Sequence, residues 1–162
     1  MKRWLKTIII LPFNALVVIP ALALWASGFE PRLNSAPLAA LGCALGIFGL
    51  LLAAWTMRLF ATVGKGTAAP WDPPQKLVVR GPYCHVRNPM IASVLMMLMA
   101  EYLILGALAI LAWLALFFAA NMIYFPFFEE RDLAKRFGAD YAEYRRNVPR
   151  WIPRLGKWTP DK

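Results

Sequence analysis

The sequence predicts an all-α integral membrane protein with about four membrane helices, the last two forming a tight hairpin, plus a cytoplasmic C-terminal helix and tail. Of its 162 residues, 60% are hydrophobic, well above the share in an ordinary soluble domain. These residues form four runs, each near the length of about 20 residues that a helix needs to cross a bilayer. Basic residues stand at the ends of the runs, where anionic lipid headgroups attract them.

The first membrane helix is expected at about residues 7–26, after three basic residues. A basic start and an apolar run also describe a signal peptide, and Ala21-Leu22-Ala23 resembles a cleavage site. Because the run is longer than a usual signal-peptide core, we interpret it as a span. Pro12 and Pro20 should kink it, leaving carbonyl groups that a neighbouring helix or water must satisfy.

The second membrane helix is expected at about residues 38–60. Gly42, Gly46 and Gly49 recur at a spacing that lets another helix approach closely. The partner helix belongs either to this chain or to a second copy, so a homodimer is an open alternative. The following connection, residues 61–88, is long and rich in Gly and Pro, and such loops are usually functional or disordered.

The third and fourth spans are expected at about residues 89–105 and 107–128. Gly106 alone separates them, and so short a link requires an antiparallel helical hairpin. Glu101 lies near the end of the third span, and the sequence gives it no definite role.

The distribution of Lys and Arg predicts the topology. Three precede the first span, one lies in the first turn, five run from Arg58 through Arg87, and nine follow Phe128. Basic segments favour the cytoplasmic side, so both termini and the long connection should be cytoplasmic. Residues 61–88 and 129–155 then meet on one side of the membrane, within a single domain of residues 1–162. The same membrane interpretation explains the net charge of +9, and nucleic acid is not an expected partner.

After the last span the chain becomes polar and has helical spacing, which Gly138 interrupts. One helix face carries the apolar residues Leu133, Phe137, Tyr141 and Tyr144. The tail that follows alternates bases with apolar residues, a composition typical of chains at the headgroup level. Its expected anchors are Val148, Trp151, Ile152 and Trp158.

Familiar catalytic motifs are absent from the sequence, and one His excludes a His-rich metal centre. The remaining candidate is the acid pair Glu129-Glu130 at the end of the last span. Such a pair lies either at an exposed helix N-terminus, which favours acids, or buried and bound to donors or a cation. The candidate partners on the other cytoplasmic stretch are Tyr83, Arg87, Asn88 and free backbone groups at Gln75 to Val78. The lone His85 is expected to be a headgroup or backbone partner.

Several motifs carry a resemblance to a known family. They are Gly81-Pro82-Tyr83, Arg87-Asn88-Pro89, Glu129-Glu130, Phe137-Gly138, Tyr141, Tyr144 and Val148-Pro149-Arg150-Trp151-Ile152-Pro153. This pattern, over roughly the last ninety residues, resembles the isoprenylcysteine carboxyl methyltransferase and phospholipid methyltransferase superfamily of integral membrane enzymes.

The resemblance implies that the two cytoplasmic stretches enclose S-adenosylmethionine, while a lipophilic acceptor enters from the bilayer. The acceptor group would be the carboxylate or amine of a lipid or of a prenylated small molecule. The implied cofactor-binding residues are Gln75, Lys76, Leu77, Val78, Gly81, Tyr83, Arg87, Asn88, Pro89, Met90, Ile91, Glu129 and Glu130. Among them, Glu129 would bind the ribose or amino groups of the cofactor. No catalytic base and no metal are implied.

The chain departs from the family pattern at two places. Asn88 and Ile91 stand where the family commonly has the His and Tyr of Arg-His-Pro-x-Tyr. Tyr124-Phe125-Pro126 replaces an arginine of prenylcysteine enzymes, which argues against a prenylcysteine acceptor. Two other classes stay open: an NADPH-dependent enzyme similar to sterol reductases, and a non-catalytic membrane protein that retains the fold.

Overall fold

The computed structural model describes residues 9–30, 32–67 and 72–160, and every regular element in that part of the chain is helical. The basic N-terminal residues and the first two residues of the first predicted span lie outside it. The helices are α1 (Ile19–Ala26), α2 (Ala36–Leu59), α3 (Pro89–Leu105), α4 (Leu108–Tyr124) and α5 (Glu130–Asn147). π-Helical segments at Ile9–Val18, Phe60–Gly64 and Phe125–Glu129 extend α1, α2 and α4, and a 3-10 turn forms at Gly81–Cys84.

Two continuous helices, Ala36–Gly64 and Leu108–Asn147, are long and apolar enough to cross a membrane, and Pro12–Ala26 and Pro89–Leu105 are shorter apolar helices. The apolar part of the second ends at Phe128, after which the sequence is polar. Large apolar side chains project outward from these helices, including Leu41, Ile47, Phe48, Leu51, Leu116 and Ile123. Surfaces of this kind are compatible with lipid and unfavourable in water.

The chain divides into two compact units, one made of Met1–Ala53 and Ala92–Ala120 and the other of Ala54–Ile91 and Asn121–Lys162. The first unit has an apolar core around Ala15, Val94 and Leu98. The second has its own core around Tyr141, Tyr144 and Val148. All the site residues that the sequence predicted belong to the second unit.

In the first unit, the glycine stripe of α2 packs on α3. A Cβ atom added at Gly42 would lie 2.9 Å from the carbonyl oxygen of Ala100, and one at Gly49 would lie 3.0 Å from that of Ser93. Only a residue without a side chain permits such an approach between helix backbones. The predicted helix contact is therefore made within this chain, and a homodimer would have to use another surface.

In the first helix, a proline leaves one backbone carbonyl without its helical donor, and a neighbouring helix supplies another. In the π-helical pattern the carbonyl of Ala15 would pair with the nitrogen of Pro20, which carries no hydrogen. The indole Nε1 of Trp113, on α4, donates to this carbonyl at 2.9 Å. The prediction that a neighbouring helix satisfies a carbonyl freed by Pro20 is confirmed.

The turn between α3 and α4 consists of Gly106 and Ala107, one residue more than predicted. Gly106 has a φ of +67°, which glycine adopts without steric cost, and its N–H donates to Tyr102 at 2.7 Å. The N–H of Asn34 donates to the carbonyl of Ile104 at 2.8 Å. Two of the C-terminal carbonyls of α3 are thus satisfied, and the chain reverses directly into α4.

Candidate functional site

The connection after α2 folds back on the end of that helix. The N–H groups of Gln75 and Lys76 donate to the carbonyl of Gly64, at 2.7 Å and 3.2 Å. The prediction of free backbone groups was wrong for the N–H groups of these two residues, because the turn uses them to satisfy the carbonyl of Gly64 at the helix end. The side chains of Gln75 and Lys76 are exposed, while Val78 is buried against Gly64.

The turn Gly81–Cys84 places Tyr83 inside the second unit. Gly81 has a φ of +57°, and a Cβ atom there would meet the indole of Trp55 at 2.8 Å. Tyr83 is buried and its ring stacks on Phe60 with centroids 5.4 Å apart. Burial raises the pKa of the Tyr83 phenol well above its ordinary value, so this side chain is neutral.

Helix α5 presents its predicted apolar face to the core of the second unit. Tyr141 and Tyr144 are buried, with Leu133 and Phe137 packed beside them. Gly138 has a φ of 51° and a ψ of −122° and breaks the helix, as the sequence predicted. Leu77, predicted to line the cofactor, packs against this core.

The C-terminal tail runs along the 84–87 segment and is hydrogen-bonded to it. The N–H of Arg87 donates to Pro149 at 2.9 Å, that of Arg154 to His85 at 3.0 Å, and that of Trp158 to Cys84 at 3.1 Å. The ring Nδ1 of His85 lies 3.0 Å from the carbonyl of Arg154, which confirms its expected role as a backbone partner.

Two residues of the tail were predicted wrongly as headgroup anchors. Val148 is buried, and Trp158 lies on Tyr144 with ring centroids 6.0 Å apart. Both belong to the core of the second unit because the tail folds back on α5 and on the 84–87 segment. Alternation of basic and apolar residues cannot distinguish such a folded tail from one that lies on lipid.

Glu130 is the centre of a buried charge cluster. Its carboxylate oxygen Oε1 accepts from Nη1 of Arg87 and from Nε of Arg150, both at 2.7 Å. Nε of Arg145 lies 3.6 Å from Oε2. Glu130 therefore lies in a buried ion cluster, and the alternative of an exposed helix N-terminus is excluded for it. Its Oε1 is thus bound by the protein, whereas the buried Oε2 accepts no hydrogen bond from the described residues.

Glu129, the neighbour of Glu130 in the sequence, differs from it in its pKa and in its hydrogen bonding. Burial, and then the negative charges of Asp132 and Glu130, raise the pKa of Glu129 to about 7. Within the described ranges, no hydrogen bond or ion pair satisfies its carboxylate. A partly buried carboxyl without a donor gains from a cationic ligand, because a nearby positive charge favours its ionised form.

Two buried donors beside this pair also lack acceptors. Nε of Arg87 and Nδ2 of Asn88 meet no acceptor in the part of the chain that the structure describes. The side chain of Arg87 is only 10% exposed, and a buried donor left unsatisfied costs about 1–3 kcal/mol. Pro89 is fully buried at the start of α3, and Met90 and Ile91 in its first turn are partly buried. An anionic group of a ligand would satisfy the two donors.

The sequence did not predict that arginines of α5 and the tail would hold Glu130. A buried carboxylate requires cationic partners, and Arg145 and Arg150 were available by composition. Arg150 reaches Glu130 only because the tail folds back. Arg136 was also missed: its guanidinium donates to the carbonyl of Pro74 and lies over the Phe137 ring at 5.1 Å. It holds the 74–79 segment against α5.

The apolar helices are typical of a membrane protein. Its second unit carries a polar cluster in which the Glu129 carboxylate, Nε of Arg87 and Nδ2 of Asn88 find no partner among the described residues. The chain belongs to the phospholipid methyltransferase family, whose model matches residues 38–140. The resemblance that the motifs predicted is thus confirmed, and with it methyl transfer at a membrane as the activity of the family.

One relative gives a more particular match. A segment of 28 residues is 64% identical to Methanethiol S-methyltransferase 2 of Bradyrhizobium diazoefficiens, covering 17% of this chain and 11% of the relative. No solved structure matches the chain.

Proposed function

We propose that this protein transfers a methyl group from S-adenosylmethionine to a lipophilic acceptor at the cytoplasmic face of a membrane. The observation that supports the cofactor is the pairing, in one polar unit, of the unsatisfied Glu129 carboxylate with the unsatisfied donors of Arg87 and Asn88. The methionine end of S-adenosylmethionine carries an ammonium and a carboxylate, and it complements these groups in both charge and hydrogen bonding.

In this proposal Glu129 binds the ammonium, while Arg87 Nε and Asn88 Nδ2 donate to the carboxylate through charge-assisted hydrogen bonds. Arg87 is held for this role because Glu130 fixes its Nη1 at 2.7 Å. Tyr83 and the 75–78 segment, with Gly81 and residues 89–91, form the surrounding walls. The aromatic ring of Tyr83 favours a nearby cation.

S-adenosylmethionine supplies a sulfonium from which a methyl group passes to a nucleophile in line. The protein contributes by orienting the two partners and excluding water. A carboxylate acceptor needs no proton removal, whereas an amine or a thiol must lose a proton before or during transfer. The catalytic base for such an acceptor is left unassigned.

We also propose that the chain forms one domain with four membrane spans and with both termini in the cytoplasm. The excess of Lys and Arg after Phe128 and between Arg58 and Arg87 supports this orientation. The acceptor then reaches the site from the bilayer, and the apolar surfaces of α2 and α4 are compatible with that route.

A small apolar thiol is a second candidate acceptor. The match to a methanethiol S-methyltransferase supports it, and so does the apolar segment Tyr124-Phe125-Pro126, which offers no cation to an acceptor carboxylate. Both acceptor classes require the same cofactor, so cofactor binding is tested first.

The test is calorimetric titration of the detergent-purified protein with S-adenosylhomocysteine and, in parallel, with NADPH. Saturable binding of the first alone supports the methyltransferase. Binding of NADPH alone would identify a reductase, and binding of neither would favour a non-catalytic protein.

Transfer of labelled methyl from S-adenosylmethionine then separates the acceptors, with total membrane lipid in one arm and methanethiol in the other. Asp140→Ala, a change at an exposed residue of α5, serves as the control variant and should transfer methyl as the wild type does.

A further inference from the structure

We propose that residues 152–157, here called the seating loop, insert two apolar side chains into the surface of a bilayer that carries anionic lipid. The proposal requires only that the chain resides in a bilayer, and it does not depend on methyl transfer.

The seating loop is held at both ends, and its apolar side chains point outward. Trp151 packs edge-on against Phe125 with ring centroids 5.9 Å apart, and Trp158 packs on Tyr144 at 6.0 Å. Between these anchors, Ile152 is 81% exposed and Leu155 is 101% exposed. The fold thus presents two aliphatic side chains on a short loop with fixed ends, where water is an unfavourable environment for them.

The loop starts at the level where the apolar helix ends. Phe125, the partner of Trp151, directly follows α4, and the neighbouring Tyr124, Phe127 and Phe128 are exposed. Aromatic side chains at the end of a membrane helix mark the headgroup region. Because Trp151 contacts Phe125, Ile152 leaves the protein core close to that level.

The charge of this region complements anionic headgroups. Residues 144–160 contain five basic residues and no acid. Arg150 forms an ion pair with Glu130, whereas Arg146 and Lys157 are exposed and can reach lipid headgroups. Each base that reaches an anionic surface strengthens membrane contact about fivefold. A bilayer with anionic lipid therefore fits the surface better than an uncharged one.

The seating loop also touches the wall of the candidate site. Its residue Arg154 is hydrogen-bonded through the backbone to His85, and the adjacent Trp158 to Cys84. Arg87 and Asn88, the donors proposed for the cofactor, follow directly in the chain. Membrane contact by the loop would hold this wall in place.

The test places an environment-sensitive fluorophore on the loop of the full chain. Leu155→Cys is labelled in a Cys43→Ala background, since Cys43 is exposed and Cys84 is buried. The matched control is Asp140→Cys, at an exposed position of α5. Both proteins are reconstituted in nanodiscs of phosphatidylcholine alone or with added phosphatidylglycerol, and quenching by lipid with a spin label high on the acyl chain is measured.

We expect a blue-shifted, lipid-quenched label at residue 155 but not at residue 140, with quenching at least twofold stronger in the anionic discs. Lys157→Gln should reduce that difference. Equal spectra at the two positions, or equal quenching in the two kinds of disc, would overturn the proposal. A blue shift that persists in detergent and grows with protein concentration would overturn it too, because a second copy would then cover the loop.

Discussion

Two neighbouring glutamates that follow α4 have different surroundings. Guanidinium groups bind Glu130 at 2.7 Å, whereas burial raises the pKa of Glu129 to about 7. Buried acids without a partner are concentrated at functional sites, although not confined to them. The carboxyl of Glu129 is the group most able to respond to a cationic ligand.

Glu129 should make the stability of the ligand-free protein fall as the pH rises. The unfolded chain titrates near 4.5 and the folded one near 7, so between these values the folded state binds more protons and loses stability with rising pH. The difference amounts to roughly 3 kcal/mol at most. Glu129→Gln should abolish this fall, which apparent melting temperatures in detergent at pH 5 and pH 8 would measure. Parallel profiles for wild type and variant would contradict the assignment.

Binding of S-adenosylhomocysteine should release a proton near pH 6.5. Its ammonium favours the ionised form of Glu129 and lowers the pKa of that carboxyl, so the bound state holds fewer protons. Titrations in buffers of different ionisation enthalpy would measure the release. Glu129→Gln should bind about 10-fold to 100-fold more weakly, from a lost charge-assisted hydrogen bond of about 1.5–3 kcal/mol, and should release no proton. Proton uptake by the wild type would exclude this role.

The Glu130 cluster should be needed for stability. Glu130→Gln leaves Arg87 and Arg150 without their carboxylate, and breaking a buried ion pair in this way costs about 3–5 kcal/mol. Arg145→Gln is the control, because the Arg145 side chain is 57% exposed and such pairs contribute at most about 1 kcal/mol. Thermal unfolding in detergent should show a large loss for the first and little change for the second. Similar melting temperatures would show that the cluster is not structural.

At the scale of elements, the break at Gly138 divides α5 into two parts that make different contacts. The residues before Gly138 carry Glu130 and Arg136, and those after it carry Tyr141 and Tyr144. The hydroxyl of Tyr144 donates to the carbonyl of Tyr83 at 2.8 Å, so the second half of the helix holds the turn that carries Tyr83. A straight helix would direct these side chains differently.

Gly138→Ala should therefore destabilise the protein by about 1–3 kcal/mol, the usual cost of a residue forced into a sparsely populated backbone region. No atom lies within 4 Å of the position for an added Cβ, so the effect would come from the backbone alone. Gly156→Ala is the matched control, because its φ is not positive and an added Cβ would meet only the Arg154 side chain, at an ordinary contact distance of 4.0 Å. Equal melting temperatures for the two variants would contradict this account.

Local rules predicted the features that depend on neighbours in the sequence. Gly106 and Gly138 were placed correctly because glycine breaks helices locally, and the glycine stripe of α2 because packing requires small residues. Other features depend on contacts between residues that are distant in the sequence. They are the hydrogen bonds of the Gln75 and Lys76 N–H groups, the burial of Val148 and the arginine partners of Glu130. The periodicity of a single segment does not predict such long-range contacts.

At the scale of the whole molecule, the polar residues of the site come from two distant stretches of an otherwise apolar chain. Arg87 and Glu130 are 43 residues apart in sequence and yet joined at 2.7 Å. The chain between them consists largely of α3 and α4, and the tight turn at Gly106 returns it. The helical hairpin thus brings together polar residues from two stretches that are distant in the sequence.

The proposed orientation predicts which segments are accessible from each side of the membrane. In a Cys43→Ala background, Leu33→Cys in the first turn and Asp140→Cys on α5 should react with an impermeant maleimide from opposite sides, since both positions are exposed. In intact cells the reagent should label residue 33 alone, and in inverted vesicles residue 140 alone. This follows because the basic residues after Phe128 keep α5 in the cytoplasm, while one base in the first turn does not oppose its translocation. The four-span topology places three membrane crossings between residues 33 and 140, so the two positions lie on opposite sides. Labelling of both positions from one side would show that this topology is wrong.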